Sequence, residues 1–190
     1  MRDQTSPSDK ATPYERLRPL RRVRQSRDFS ADPIGQDDLD GILGVARWTG
    51  SSRNTQPWRF IIIRDVDTIR QIAAAGLPQT RALRTATAAI AIILPAVPER
   101  ATSHAYDDGR AAERILIAAS YLGLGAGIAW VRADVLDAVS AILGLPTERL
   151  VRTVVALGHP SSAARGPKSA PGEARLPLDE LVFRERWPGD

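Results

Sequence analysis

Arg24 and Arg27 stand three residues apart, with Gln25 and Ser26 between them and Phe29 just beyond. Two guanidinium forks at that spacing, with an amide and a hydroxyl between them, suit the oxygens of one phosphate if the segment turns or ends a helix; a solvated basic arm would carry the same residues. A second polar cluster runs Ser51-Ser52-Arg53-Asn54-Thr55-Gln56 before the Pro57-Trp58 corner. Its hydroxyls and amides both donate and accept, as a flat heterocycle with carbonyl and imide edges requires, although a loop of ordinary Asx turns would look alike. In a third stretch, Gly125 to Trp130, glycines would let backbone N–H groups approach a planar ligand. Gly123, Gly125 and Gly127 follow a helical pattern and precede a strand, the reverse of the order a phosphate-cradling dinucleotide turn needs, so a helix cap with close backbone approach is the competing reading.

Several chemistries are excluded by what the 190 residues lack. With no cysteine and only His104 and His159, disulfide scaffolds, thiolate metal sites and cysteine nucleophiles drop out, and no metal site is expected. No phosphate-binding lysine loop or nucleophile elbow is present, and no side chain stands out as a catalytic acid or base. The first 30 residues hold eight Lys/Arg and four Asp/Glu, which leaves eighteen of each sign in the remainder and places the whole net charge of +4 in the N-terminal arm. Nucleic acid is therefore disfavoured as a partner. The start is polar and charged, and the longest uncharged run, Ile115 to Val131, is broken by glycines, so a soluble cytoplasmic protein without a membrane partner is expected.

The elements that must position these clusters follow from periodicity. Residues 1–13 are polar and Pro-containing, and a disordered arm is expected there, with one domain over 14–190. Asp37 and Asp38 open a helix whose Leu39, Ile42, Leu43 and Ala46 share a face, and 58–64 reads as a buried strand. A helix over 67–75, a strand over 88–94, a core helix following Asp107-Asp108, a strand over 126–130, a helix over 134–143 and a strand over 151–157 complete the pattern. His104 is expected in a loop and His159 at a strand end. Leu178, Leu181, Val182 and Phe183 form an apolar hook that needs a core to pack on, its own or a neighbour's. Helices alternating with four or five strands predict a three-layer α/β or α+β arrangement.

From about Val23 to Trp187 the chain resembles the nitroreductase family of flavin enzymes. The resemblance is carried by Arg24-Gln25-Ser26-Arg27-Asp28-Phe29, by Ala46 through Phe60, by Ala118-Ala119 through Gly125, by Val155 through Pro160 and by Arg175 through Val182. It implies a three-layer α/β/α sandwich with a mixed central sheet, a C-terminal segment exchanged with a partner, and a homodimer binding two FMN molecules between its subunits. By carry-over, Arg24, Arg27 and Arg175 hold the phosphate with Gln25 beside them. Ser51, Ser52 and Asn54 reach over from the partner, with Gln56 in the same cofactor-binding set, and backbone groups of Ile128, Ala129 and Trp130 face the flavin N5. The family usually has Ser or Thr where Gln25 stands and Pro where Gly50 stands. Glu173 occupies the place of a second cation that many members carry, and Lys168 is the nearest substitute.

The activity so implied is ping-pong hydride transfer from NAD(P)H through flavin to a small-molecule nitroaromatic, quinone or other conjugated acceptor. Two alternatives remain open at this stage: a flavin-dependent dehydrogenase or oxidase tailoring a natural-product or peptide precursor, and a flavin-binding degenerate dimer whose basic arm serves a partner. Trp48, Trp58 and Trp130 are candidates for a substrate face, or for the core.

Overall fold

The computed structural model describes residues 11–77, 81–166 and 175–187. In chain order the elements are α1 (Pro13–Arg16), α2 (Arg18–Arg21), α3 (Gln36–Ala46), β1 (Arg59–Ile63), α4 (Val66–Ala74), α5 (Arg81–Thr85), β2 (Ala88–Pro95), α6 (Ala101–Tyr121), β3 (Gly125–Trp130), α7 (Leu136–Ile142), β4 (Arg149–Gly158), α8 (Ser162–Arg165) and α9 (Leu178–Leu181). Of the arm expected to be disordered, residues 1–10 lie outside the described residues. Thr12 caps α1, its hydroxyl accepting from the N–H of Glu15, whose carboxylate returns the bond to the N–H of Thr12.

Among the described residues the strands form one sheet in the order β1-β2-β4-β3. All three pairings are antiparallel; the expected mixed sheet is reduced to one parallel bridge, from Gln25 to Ala126. Strand direction depends on which distant segments pair, which no local pattern encodes. β2 shows why the fold has three layers. Ile90, Ile92 and Leu94 point into a core shared with Leu39 and Ile42 of α3 and Ile115 of α6, while Ala89, Ala91 and Ile93 point into a second core with Ile69 and Ile72 of α4, Leu83 of α5 and Val139 of α7. Helices thus cover both faces, and each fully buried Leu or Ile contributes about 1.5–3 kcal/mol.

α6 begins earlier than expected. Asp107 and Asp108 look like acids of a first turn, but the helix starts at Ala101, behind a short 3-10 turn at Pro98–Arg100. Both aspartates therefore lie in its interior and are buried, as is His104, which belongs to this helix and not to a loop. The helix ends as its glycine indicates: Gly123 takes a φ of +73°, its N–H donates to the carbonyl of Ser120, and the N–H of Leu124 donates to that of Ala119.

Residues 25–30 pass from the free edge of β3 to the chain just beyond β4. The N–H of Ser26 donates to the carbonyl of Ala126 at 2.7 Å, Gln25 Oε1 accepts from the N–H of Ile128 at 3.1 Å, and Ser30 donates to the carbonyl of His159 at 2.9 Å. Space for this crossing comes from glycines. A Cβ on Gly125 would lie 2.7 Å from Ser26 Oγ, one on Gly158 2.8 Å from the Phe29 side chain, and one on Gly127 2.3 Å from the Ser26 carbonyl oxygen. The last clash is with backbone and no rotamer relieves it. Gly127→Ala is therefore expected to lift the arm and destabilise the fold by about 1–3 kcal/mol, read as a lower urea midpoint with little change in slope.

Candidate functional site

The arm presents its cations to two adjoining clefts. Arg24, Gln25 and Ser26 line one cleft of about 200 Å³ together with Arg22, Ser120 and Arg165. Arg27 lines the other, of about 250 Å³, with Asp28 and Arg81. Ala164 of α8 borders both. Three guanidiniums, an amide and two hydroxyls around one small cleft form a donor set suited to a phosphate group. Ser161 fixes α8 beside the arm, its hydroxyl donating to Asp28 Oδ2 at 2.8 Å and its N–H to the Asp28 carbonyl. Arg175 is exposed at the head of the C-terminal segment, and Glu173 and Lys168 lie outside the described residues.

The amide-rich loop folds on itself as a 3-10 turn over Ser52–Asn54. Ser51 Oγ accepts from the N–H of Gln56 at 2.8 Å, and the Ser51 carbonyl accepts from Asn54. Arg53, Asn54 and Gln56 all have φ near +50°, a region that asparagine tolerates and the other two side chains do not favour. Ser52, Asn54 and Gln56 are exposed, and among the described residues the side chains of Ser52 and Asn54 make no hydrogen bond within the chain. Buried Pro57 and Trp58 then anchor the loop where it enters β1.

The sheet keeps the two clusters apart. The arm lies on the β3 edge and the loop enters β1 at the other edge, three strand spacings away, or roughly 14 Å. Beside the arm, the N–H of Ile128 is taken by Gln25, Ala129 is buried, and strand alternation directs the N–H of Trp130 toward the same outer edge. Trp130 is 48% exposed and Trp48 73%, whereas Trp58 belongs to the core.

Sequence reading missed a buried polar group between α6 and β4. Asp108 Oδ2 accepts from Thr153 Oγ1 at 2.8 Å, and its Oδ1 has no hydrogen-bond partner. Burial pushes its carboxyl up to about 6, against the opposing pull of the Thr153 hydrogen bond and the Arg152 charge. Spacing could have exposed it, because Asp108 stands three and seven residues before Ala111 and Ile115 on the apolar face.

Comparison with known proteins fits this architecture. Residues 20–108 match the family model described as Nitroreductase family. A protein of Archaeoglobus fulgidus, provisionally named an NADH dehydrogenase/NAD(P)H nitroreductase, is 32% identical over 86% of this chain and 94% of its own. A nitroreductase of Desulfovibrio desulfuricans, so named provisionally and solved in complex with FMN, superposes with a TM-score of 0.72 at 26% identity, covering 94% of this chain and all of that one. An FMN-dependent nitroreductase of Clostridium difficile shares the fold at 23% identity, with a TM-score of 0.75 over 88% of this chain and 98% of its own. The molecule is an α+β protein of nitroreductase fold. By sequence as well as fold, the chain belongs to the nitroreductase family. Among the described residues, no helix is long and apolar enough to cross a membrane.

The raised Asp108 carboxyl sets a pH dependence. The folded chain holds this proton to about pH 6, the unfolded chain only to about 3.9, so stability falls as pH rises through that window. Asp108→Asn keeps an acceptor for Thr153 without the charge. It should stabilise the protein by on the order of 2 kcal/mol at pH 8 and by little at pH 4, as measured by urea unfolding.

Proposed function

We propose that this protein is an FMN-dependent oxidoreductase that takes hydride from NAD(P)H and delivers electrons to a nitroaromatic, quinone or other conjugated small molecule. We further propose that it works as a homodimer whose sites are each built by two chains. Family membership and the FMN complex of the Desulfovibrio relative support the cofactor, and the name of the Archaeoglobus relative supports the reductant. The observation that carries the two-chain site is the separation of arm and loop onto opposite edges of one sheet. One ligand meets both when the loop belongs to a second copy.

FMN would supply the redox chemistry, accepting hydride from one substrate and returning electrons to the next. The chain's residues bind and orient it. Arg24 offers a guanidinium to the phosphate in the cleft it shares with Gln25 and Ser26, with Arg27 on the adjoining side and Arg175 closing from the C-terminal segment. Ser51, Ser52, Asn54 and Gln56 of the partner subunit's loop offer hydroxyls and amides to the ribityl chain and the polar ring edge. Gln25, by occupying the N–H of Ile128, fixes the β3 edge and leaves the backbone around Ala129 and Trp130 to face the ring. The apolar hook fits this assembly: Leu178 is 75% exposed and Trp187 76% on the isolated chain, with Phe183 packed in a tilted contact on Trp187 at 4.5 Å between ring centroids. Such side chains need a cover, and a partner subunit provides one.

Purified protein should be yellow and release FMN on denaturation, and NADH or NADPH should bleach it in the absence of oxygen. Colourless protein that takes up no added FMN would sink the proposal. Arg24→Ala should weaken FMN binding by about ten- to a hundredfold, the loss of a charge-assisted phosphate contact, with the fold intact by circular dichroism. Removal of residues 176–187 should shift the sedimenting species from dimer to monomer and abolish flavin retention; a truncated chain that stays dimeric would contradict the role of the hook.

A further inference from the structure

Gly50 opens the amide-rich loop, and the guanidinium of Arg110 from α6 lies directly against it. A Cβ built on Gly50 would stand 2.5 Å from Arg110 Nη2 and 3.4 Å from Cζ. Arg110 is drawn into that place by Asp107, one turn earlier on the same helix: Nη1 lies 3.9 Å from Oδ1 of a side chain only 4% exposed. The second oxygen of that buried carboxylate has no hydrogen-bond partner, so Arg110 is the cation beside an otherwise poorly satisfied anion.

Beyond Gly50 the loop carries left-handed backbone at Arg53, Asn54 and Gln56. Residues held there cost of order 1–3 kcal/mol each and persist only where their surroundings fix them. The loop's own bonds, from Ser51 to Gln56 and to Asn54, tie its middle but leave its entrance to glycine, the least constrained of residues. The guanidinium of Arg110 covers that entrance.

We infer that Arg110, anchored by Asp107, is a positioning residue that clamps Gly50 and presets the Ser51–Gln56 loop for its ligand. The inference rests on the reading of that loop as flavin-binding; Arg110 acts through the loop and touches no flavin. It also accounts for a departure from the family resemblance, in which proline usually stands at this position. A proline ring fixes φ covalently. Here glycine leaves room for a guanidinium that performs the same restraint from outside, and the two solutions compete for space because a proline Cβ would stand 2.5 Å from Nη2 and push the guanidinium aside. The N–H of Gly50 donates no backbone hydrogen bond among the described residues, so a ring there removes none.

The test uses the full chain, stripped of flavin and then titrated with FMN. Arg110→Ala should speed hydrogen exchange of the Asn54, Thr55 and Gln56 amides by about tenfold more than that of the β2 and β4 amides, whose exchange reads any global loss from leaving Asp107 without its cation, and should weaken FMN binding by about five- to tenfold. Gly50→Ala displaces the guanidinium and should do the same, and the double variant G50A/R110A should do no more than either alone. Gly50→Pro in the Arg110→Ala background should restore both slow exchange and FMN affinity. Unchanged loop exchange in Arg110→Ala, or fully additive effects of Gly50→Ala and Arg110→Ala, would overturn the clamp, as would a folded G50P/R110A protein without recovery. If the unmodified chain binds no FMN, the functional reading falls, and the exchange measurements still decide the clamp on their own.

Discussion

Residues 25–30 cross β3 only because Gly125, Gly127 and Gly158 carry no side chains where Ser26 and Phe29 pass. Gly125 and Gly158 make room for the Ser26 and Phe29 side chains, and at Gly127 the Ser26 carbonyl at 2.3 Å from a hypothetical Cβ leaves no room for even a methyl group. The edge of β3, which would otherwise present open N–H and C=O groups, is covered by Ser26 and by the Gln25 side chain, and the bridge from Phe29 to Pro160 ties the arm to the chain just beyond β4. The same crossing turns Arg24 to one side and Arg27 to the other. An arginine pair that a linear reading places on one phosphate thus becomes the border between two adjoining basic clefts.

From this constraint follows the division of labour across the sheet. The arm is committed to one edge, and the hydroxyl- and amide-bearing loop is committed by Pro57 and Trp58 to the other. Each half has the character of an incomplete site. The clefts beside the arm hold cations but little that could recognise a ring, and the loop displays hydroxyls and amides, with Arg53 among them, on a strained backbone. The exposed hook from Leu176 to Trp187 is incomplete in the same sense, since its apolar side chains have no cover on their own chain. A second copy of the chain resolves all three on the proposed reading. On the same reading the proposed clamp of Arg110 on Gly50 has a place, because a loop offered to another subunit would receive no positioning from the rest of that site's chain.

Much of the scaffold was legible locally. The unbroken apolar run of β2, the glycine cap at Gly123 and the i, i+3, i+4 pattern of α3 each encode their element within a few residues. The start of α6 was misread because Asp107-Asp108 has the composition of a first turn. The helix gains its first turns instead from Ala101 onward, where side chains are mostly exposed and carry no apolar period. α5, five residues long, is below the length at which periodicity speaks. The site was legible as composition and not as geometry. Arg24, Gln25 and the 51–56 loop could be picked out by residue type, whereas the contact of Arg110 with Gly50 and the bond from Ile128 to Gln25 join segments far apart in the chain and leave no local trace.

The claim of a site built by two chains is tested most directly by mixing two variants with weakened flavin sites. Arg24→Ala damages the arm and Asn54→Ala the loop, so each homodimer has two defective sites. A mixed dimer concentrates both lesions in one site and leaves the other intact. Co-refolding the two chains in equal amounts should therefore recover flavin retention in roughly a quarter of all sites, as random pairing of a twofold dimer requires. If mixing recovers none, while unmodified chains carried through the same refolding bind FMN, each chain holds its flavin alone and the account is wrong.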